Sequence, residues 1–371
     1  MKQSKYLIGG LVALVVLVVG LLIFAFSQDK GLPVRLGEEK PNESMVQMVA
    51  DNLVTPWSIA FLPGGDMLVT ERSGQVKRIG EDGKTYPIEG VQETSEGGLL
   101  GIALHSDFET NKYAYLYITT DENGILHNKV DQYALDNGQL TFQRNIVDDI
   151  PAASNHNGGG IAFGPDGKLY VTTGDAAEAD SAQDKNSLAG KILRLNDDGS
   201  TPIDNPFNSL VWSYGHRNPQ GIAWDDEGRM WSVEHGPSGE RGEAAQDELN
   251  LIEKGANYGW PIITGDETRE GMRTPIAQSG TNDTWAPAGL AYYDGSLYFA
   301  GLRGQSLYES KIKSGTSVEL VRHFSDEYGR LRAVTAYKNS LYVSTSNRDG
   351  RGSPNENDDK ILRINPAELQ K

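Results

Sequence analysis

The chain has 371 residues, a formal charge of −17, 43 glycines and no cysteine. Without cysteine there can be no disulfide, zinc–thiolate site, iron–sulfur cluster or cysteine nucleophile, and so acidic a chain repels phosphate backbones, which argues against nucleic-acid binding. A hydrophobic fraction of 38% excludes a disordered chain, while glycine far above its usual share of about 7% points to many tight turns between short strands.

The first predicted element is not part of the globular fold. Lys2 and Lys5 precede an uncharged apolar run from Tyr6 to Phe26, 21 residues long. As a helix such a run measures about 30 Å, the thickness of a bilayer core. The lysines favour a cytoplasmic N-terminus, which predicts a membrane anchor over residues 1–27 and everything later on the outer face of the cytoplasmic membrane. A signal peptide cleaved near Ala25-Phe26-Ser27 is the alternative and would give a secreted or periplasmic protein. Apolar regions of signal peptides run only about 7–15 residues, so the anchor is preferred. Residues 28–44, polar with Pro33 and Pro41, read as a linker. Beyond the two leader lysines the charge is −19.

From residue 45 onward a phrase recurs: a small apolar strand, a turn of Pro, Asp or Gly, then an alternating strand. It appears as IAFLPGGDMLVTERSGQVKRI from Ile59, in looser form from Ile102, and as IAFGPDGKLYVTTGDA from Ile161. It returns from Ile222, Leu290 and Val334, so the starts fall 43, 59, 61, 68 and 44 residues apart. Each copy is a hairpin signal, and several end in a further strand such as KILRL (Lys191–Leu195) or KILRI (Lys360–Ile364). Six units of this kind predict an all-β, six-bladed β-propeller over residues 45–371 with almost no helix, because a blade cannot bury both faces alone. A strand near Met45–Ala50 and the strand at Lys360–Ile364 are expected to close the ring together.

Propellers place chemistry on loops near the axis. His156, between Asn155 and Asn157 and before three glycines, is the leading candidate for a proton acceptor near neutral pH. A plain turn histidine is the alternative. The other five histidines show no metal-ligand spacing. Arg217, Arg303, Arg330 and Arg332 fall on loops or strand edges of three blades; converging guanidinium groups in an acidic protein suit a small multi-carboxylate ligand. Surface pairing with acids is the bland alternative for each. Gly236-Pro237 and the acids that follow, Asp247 and Glu248 among them, offer hard oxygen ligands for calcium, though the spacing is not that of an EF-hand and a solvated acidic loop is equally open.

At this point the residues match a known pattern. LVTPWSIAFLPGG, GGLLGIALHSDF, NHNGGG, VWSYGHRNPQGIAW, EHGPSGERGEAAQDELNLIEKGANYGWP, APAGL and GRLRAV, in this order between Leu53 and Ile364, resemble the soluble aldose sugar dehydrogenases. These form the glucose/sorbosone dehydrogenase family, which uses pyrroloquinoline quinone (PQQ). The resemblance implies a six-bladed propeller that oxidises an aldose at its anomeric hydroxyl and passes electrons to an external acceptor. It implies His156 as general base, with Arg217 and Asn218 contacting the quinone. Arg330 and Arg332 would clamp its carboxylates, with Glu96 and Arg303 beside it. Gly236 and Pro237 would hold the PQQ-bound calcium through their carbonyls, Glu248 and Tyr258 would serve a second, structural calcium, and Trp285 would contact substrate.

Some positions depart from that pattern. Glu96 stands where the family usually has Gln, adding a negative charge beside a tricarboxylate quinone unless Arg303 or calcium offsets it. Arg303 replaces a frequent Lys, Gly160 replaces a frequent Arg, and Asn155 stands where some members have Asp. An asparagine there could orient the ring of His156 without stabilising its protonated form. The alternative function is a non-catalytic extracellular propeller that binds a ligand or protein, which would be expected to lose the base or the arginines. A lactone-hydrolysing propeller would need calcium held by carboxylates at the axis, and few acids are placed for that.

Overall fold

The computed structural model describes residues 45–80, 83–239, 244–313 and 317–369. The predicted anchor and linker, residues 1–44, lie outside the described residues, and among those described no helix is long and apolar enough to cross a membrane. The rest forms six antiparallel sheets of four strands each. The innermost strands are Pro56–Phe61, Leu99–Leu104, Ile161–Phe163, Pro219–Trp224, Pro287–Tyr293 and Leu331–Tyr337. Each touches the next, and the last touches the first, so the sheets close into a six-bladed propeller. Helix among the described residues is confined to single turns such as Phe108–Asn111 and Pro366–Leu369.

The repeated phrase falls on the two inner strands of each blade. Ile59 pairs with Val69, Ala162 with Tyr170 and Ala223 with Trp231. The second strands, such as Met67–Glu71, Leu169–Thr173 and Met230–Glu234, are buried along their whole length because neighbouring blades cover both faces. Their alternating polar residues therefore need partners inside the protein. Hydroxyls supply them by bonding across blades: Thr70 Oγ1 donates to the Leu100 carbonyl (2.6 Å), Thr172 Oγ1 to Gln220 (3.2 Å) and Ser344 Oγ to Pro56 (3.2 Å). The expected closure is present. Val46–Ala50 pairs antiparallel with Ile361–Ile364, with Val46 opposite Ile364, and completes the blade built on Leu331–Tyr337.

Because inner and second strands run antiparallel, the start of one and the end of the other lie at the same end of a blade. Residues just before inner strands (Glu96, His156, Arg217, Arg330) thus share an end with residues just after second strands (Arg72, Asp175, His235). An axial cavity of about 430 Å³ runs between the inner strands and reaches Trp57, Gly160, Gln220 and Arg332 at this end. A Cβ at Gly160 would strike the Gln220 carbonyl oxygen, so this backbone leaves no room for the arginine that the family often carries there.

Candidate active site

His156 sits on the loop between the outer strand Gln139–Pro151 and the inner strand Ile161–Phe163, and is 6% exposed. Its backbone is left-handed (φ 58°), a conformation that costs a non-glycine residue about 1–3 kcal/mol and persists only where surroundings impose it. Two contacts impose it. The His156 N–H donates to Glu96 Oε2 (3.0 Å), and a Cβ at Gly174 would meet the His156 carbonyl, so Gly174 lets the two loops pack.

The ring is held by Asp175. Its Oδ1 lies 2.7 Å from His156 Nδ1, and the carboxylate is 1% exposed. A carboxylate only accepts, so Nδ1 is the donor, and in the neutral ring the lone pair falls on Nε2, the tautomer a general base requires. Asp175 is itself fixed: Oδ1 accepts from Ala177 N (2.9 Å), Oδ2 from Trp260 Nε1 (2.8 Å), and its own N–H donates to the Arg217 carbonyl (2.7 Å). This corrects the expectation that Asn155 orients the ring. Sequence reading missed Asp175, which lies one residue beyond Gly174, the position of the repeated phrase that matches Arg72 and His235. Aligning the strand ends returns Gly174, so only the fold brings Asp175 to the imidazole.

Glu96 does not stand uncompensated beside a ligand. Its Oε1 takes Arg351 Nη1 (2.9 Å) while Oε2 takes the His156 N–H. Burial pushes this carboxyl up, but His235, the His156 N–H and Arg351 outweigh burial and hold it below the usual range. The offsetting arginine is thus Arg351; Arg303 is exposed.

Of the predicted arginines, three are buried. Arg217 is 2% exposed, with its guanidinium 5.6 Å from the Trp260 ring centre. Arg330 is paired with Asp349 (2.7 Å) and donates to the Leu302 carbonyl (3.2 Å). Arg332 lies over Trp57 and, among the described residues, hydrogen-bonds only at long range, to Ser346 Oγ and Gln220 Oε1, both 3.4 Å. Burial, with Arg330 and Arg72 nearby, pulls its pKa down to about 10 against the pull of Asp349. Beside it His235 is pulled down to about 4, by burial first, then by Arg217 and Arg332, against Asp247 and Glu96. His235 Nε2 is buried without a hydrogen-bond partner among the described residues. An under-paired buried cation next to an orphaned imidazole nitrogen fits an anionic ligand with further polar atoms. Asn218 spends its Oδ1 on the Gly158 N–H (2.9 Å), bracing the His156 loop.

The predicted cation residues lie one blade on. Gly236 and Pro237 are buried, and the Gly236 N–H donates to Asp247 Oδ1 (3.0 Å). Asp247 also accepts from Trp285 N (2.7 Å) and Ala286 N (3.0 Å), so its oxygens brace the main chain. Glu248 pairs across strands with Glu234; burial, then Glu234 and Asp247, push its carboxyl up to about 8, despite hydrogen bonds from Asn250 and Gly265. A carboxyl raised in this way by acidic neighbours suits a cation. The Tyr258 hydroxyl donates to Leu251 O (2.6 Å) and accepts from Glu253 N (2.8 Å), so any ligation falls to its main-chain carbonyl. Among the described residues no three His, Asp or Glu side chains converge as a ready metal cluster.

Two further placements matter. Trp285 is 3% exposed and packs against Phe299 and Tyr308. Ser213 Oγ, His216 and Glu234 line up at 2.9 Å and 2.9 Å like a hydrolase triad, yet Ser213 and His216 are fully buried. No substrate can reach that serine, so its geometry is structural.

The sequence profile of the Glucose / Sorbosone dehydrogenase family matches residues 53–362. The chain is 31% identical to the aldose sugar dehydrogenase YliI of Escherichia coli over 359 residues, 86% of this chain and 92% of that protein. It is also 31% identical to quinoprotein glucose dehydrogenase B of Acinetobacter calcoaceticus, over 65% of this chain and 57% of that protein. The PQQ-bound aldose sugar dehydrogenase of Streptomyces coelicolor superposes with a TM-score of 0.80 at 40% identity, covering 87% of this chain and 97% of that one. The chain belongs to the glucose/sorbosone dehydrogenase family of oxidoreductases.

Proposed function

We propose that this protein oxidises the anomeric hydroxyl of an aldose to a lactone, with PQQ as cofactor, calcium beside it and an external electron acceptor. The observation that carries the reading is the His156–Asp175 pair, at the end of the propeller that also carries the buried Arg217, Arg330 and Arg332. His156 takes the hydroxyl proton at Nε2, and Asp175 at Nδ1 stabilises the imidazolium that results. PQQ, when bound, supplies a quinone that accepts the hydride from the sugar carbon.

Arg217 and Arg332 would hold the anionic groups of PQQ, with Arg330 beside them and His235 Nε2 offering a polar contact. Arg303, being exposed, would add little, and Glu96 and Asn218 act by bracing the His156 loop. The carbonyls of Gly236 and Pro237 would hold a calcium next to the cofactor, and Glu248 with the Tyr258 carbonyl a second one. The apolar run at Tyr6–Phe26 would keep the propeller on the outer face of the membrane; N-terminal sequencing that begins near Gln28 would show cleavage instead.

The test is reconstitution. Purified apoprotein is given PQQ and calcium, then an aldose, and the quinone absorbance is followed. Reduction of the quinone that depends on both additions is expected. Cofactor binding with no aldose-dependent change would favour the non-catalytic propeller instead.

A further inference from the structure

Trp260 makes a connection that the proposed chemistry has not yet used. It lies on the loop after the strand Glu248–Ile252 and is 5% exposed, 85 residues away in sequence from Asp175. Its indole N–H donates to Asp175 Oδ2 (2.8 Å), the oxygen that does not face His156. The face of the same ring lies under the guanidinium of Arg217, 5.6 Å from its centre. Its main chain is pinned on both sides: the N–H donates to Gly215 O (2.9 Å), and the carbonyl accepts from Gln183 Nε2 (2.6 Å). One rigid side chain therefore touches the partner of the base with its edge and a ligand-facing arginine with its face.

We propose that Trp260 is a positioning residue that keeps the His156 base and the Arg217 cofactor clamp in register. The edge contact fixes the plane of the Asp175 carboxylate. Asp175 in turn fixes the imidazole plane, so the direction of the Nε2 lone pair depends on an indole N–H two residues removed from it. The face contact is separable, because any aromatic ring preserves it and only a hydrogen-bond donor preserves the other. The inference rests on His156 being the base, and it makes one demand the base assignment alone does not: edge and face should fail independently.

The experiment compares Trp260→Phe with Trp260→Leu. In the PQQ- and calcium-loaded enzyme, Trp260→Phe should lower kcat about 10- to 100-fold, the usual cost of removing a group that orients a functional ligand. Its PQQ dissociation constant, read from quenching of tryptophan fluorescence, should stay within about threefold. Trp260→Leu should show the same loss of kcat and bind PQQ a further 2- to 30-fold more weakly, the range for a lost cation–π contact. In the apoprotein, the downfield proton resonance of His156 Nδ1–H should be sharp in the parent chain and broadened by exchange in both variants. If Trp260→Phe weakens PQQ as much as Trp260→Leu, or keeps full kcat, or keeps the sharp resonance, the inference is overturned. Should the phenylalanine variant fail to fold, 3-benzothienylalanine at 260 removes the N–H from an otherwise matching ring and carries the same expectations. Aldose turnover by the unaltered holoenzyme tests the function separately, while the apoprotein resonance judges Trp260 whatever that result.

Discussion

Two neighbourhoods at the same end of the propeller are built in opposite ways. Around His156 the groups that orient the ring are all paired. Glu96 takes the His156 N–H, Asp175 takes Nδ1, and Trp260 and Ala177 hold the Asp175 carboxylate. Around Arg332, His235 and Glu248 the contacts among the described residues are long, missing or include a like charge. Arg332 has two contacts of 3.4 Å, His235 Nε2 has none among the described residues, and Glu248 faces Glu234. The difference separates two kinds of preparation. A base must point correctly before substrate arrives, so its surroundings are complete in advance. Binding groups can be left in an unfavourable field, because a ligand of opposite charge relieves it.

Breaking the complete side should cost the most. His156→Gln is expected to lower kcat about 10²- to 10⁴-fold, since glutamine can still hydrogen-bond but cannot take a proton at neutral pH. Its PQQ affinity should stay within about threefold; turnover at saturating PQQ and a fluorescence titration measure the two effects separately. Arg332→Ala should do the reverse, weakening PQQ about 10- to 100-fold, the worth of a charged hydrogen bond, with kcat restored by excess cofactor. Its melting temperature should hold or rise, because a poorly paired buried charge is gone. Arg330→Ala is a less clean probe, since it would strand Asp349 in a buried position.

A smaller effect concerns pH. Glu248 titrates higher in the folded chain (about 8) than in the unfolded one (about 4.3). Its contribution to stability is therefore fully present below the unfolded value and is lost as pH rises through about 8. Calcium-free protein should show that loss on heating between pH 5 and 8. Calcium should stabilise most at pH 8, by a few degrees at about a hundred times its Kd. A calcium shift that is equal at pH 5 and pH 8 would remove Glu248 from the site. The smallest effect is reserved for Arg303→Ala: PQQ affinity should change by less than about threefold, as for other exposed charges.

The ring was legible because its signal repeats. Six copies of one hairpin phrase, with a strand left over at each end, specify six blades and a shared closing blade without any knowledge of contacts. The arginines and His156 were legible from loop chemistry and family resemblance. What stayed hidden were pairings made across the ring. Glu96 and Arg351 are 255 residues apart, and Asp175 and Trp260 are 85 apart. No local pattern announces such a bond, because closure of the ring rather than spacing brings the partners together.

The shared closing blade also sets a timetable for synthesis. Five blades are built from contiguous stretches of chain and can form as each stretch leaves the ribosome. The sixth needs Val46–Ala50, made early, to find Ile361–Ile364, made last. Until then the early strand has no edge to join, and the cost of joining the two ends grows only slowly, as the logarithm of the intervening length. A message truncated anywhere before the codon for Ile361 would therefore yield an open arc with unpaired strand edges, prone to pairing with other chains. For this protein the ring stays open until the strand Ile361–Ile364 has been made and is free to pair.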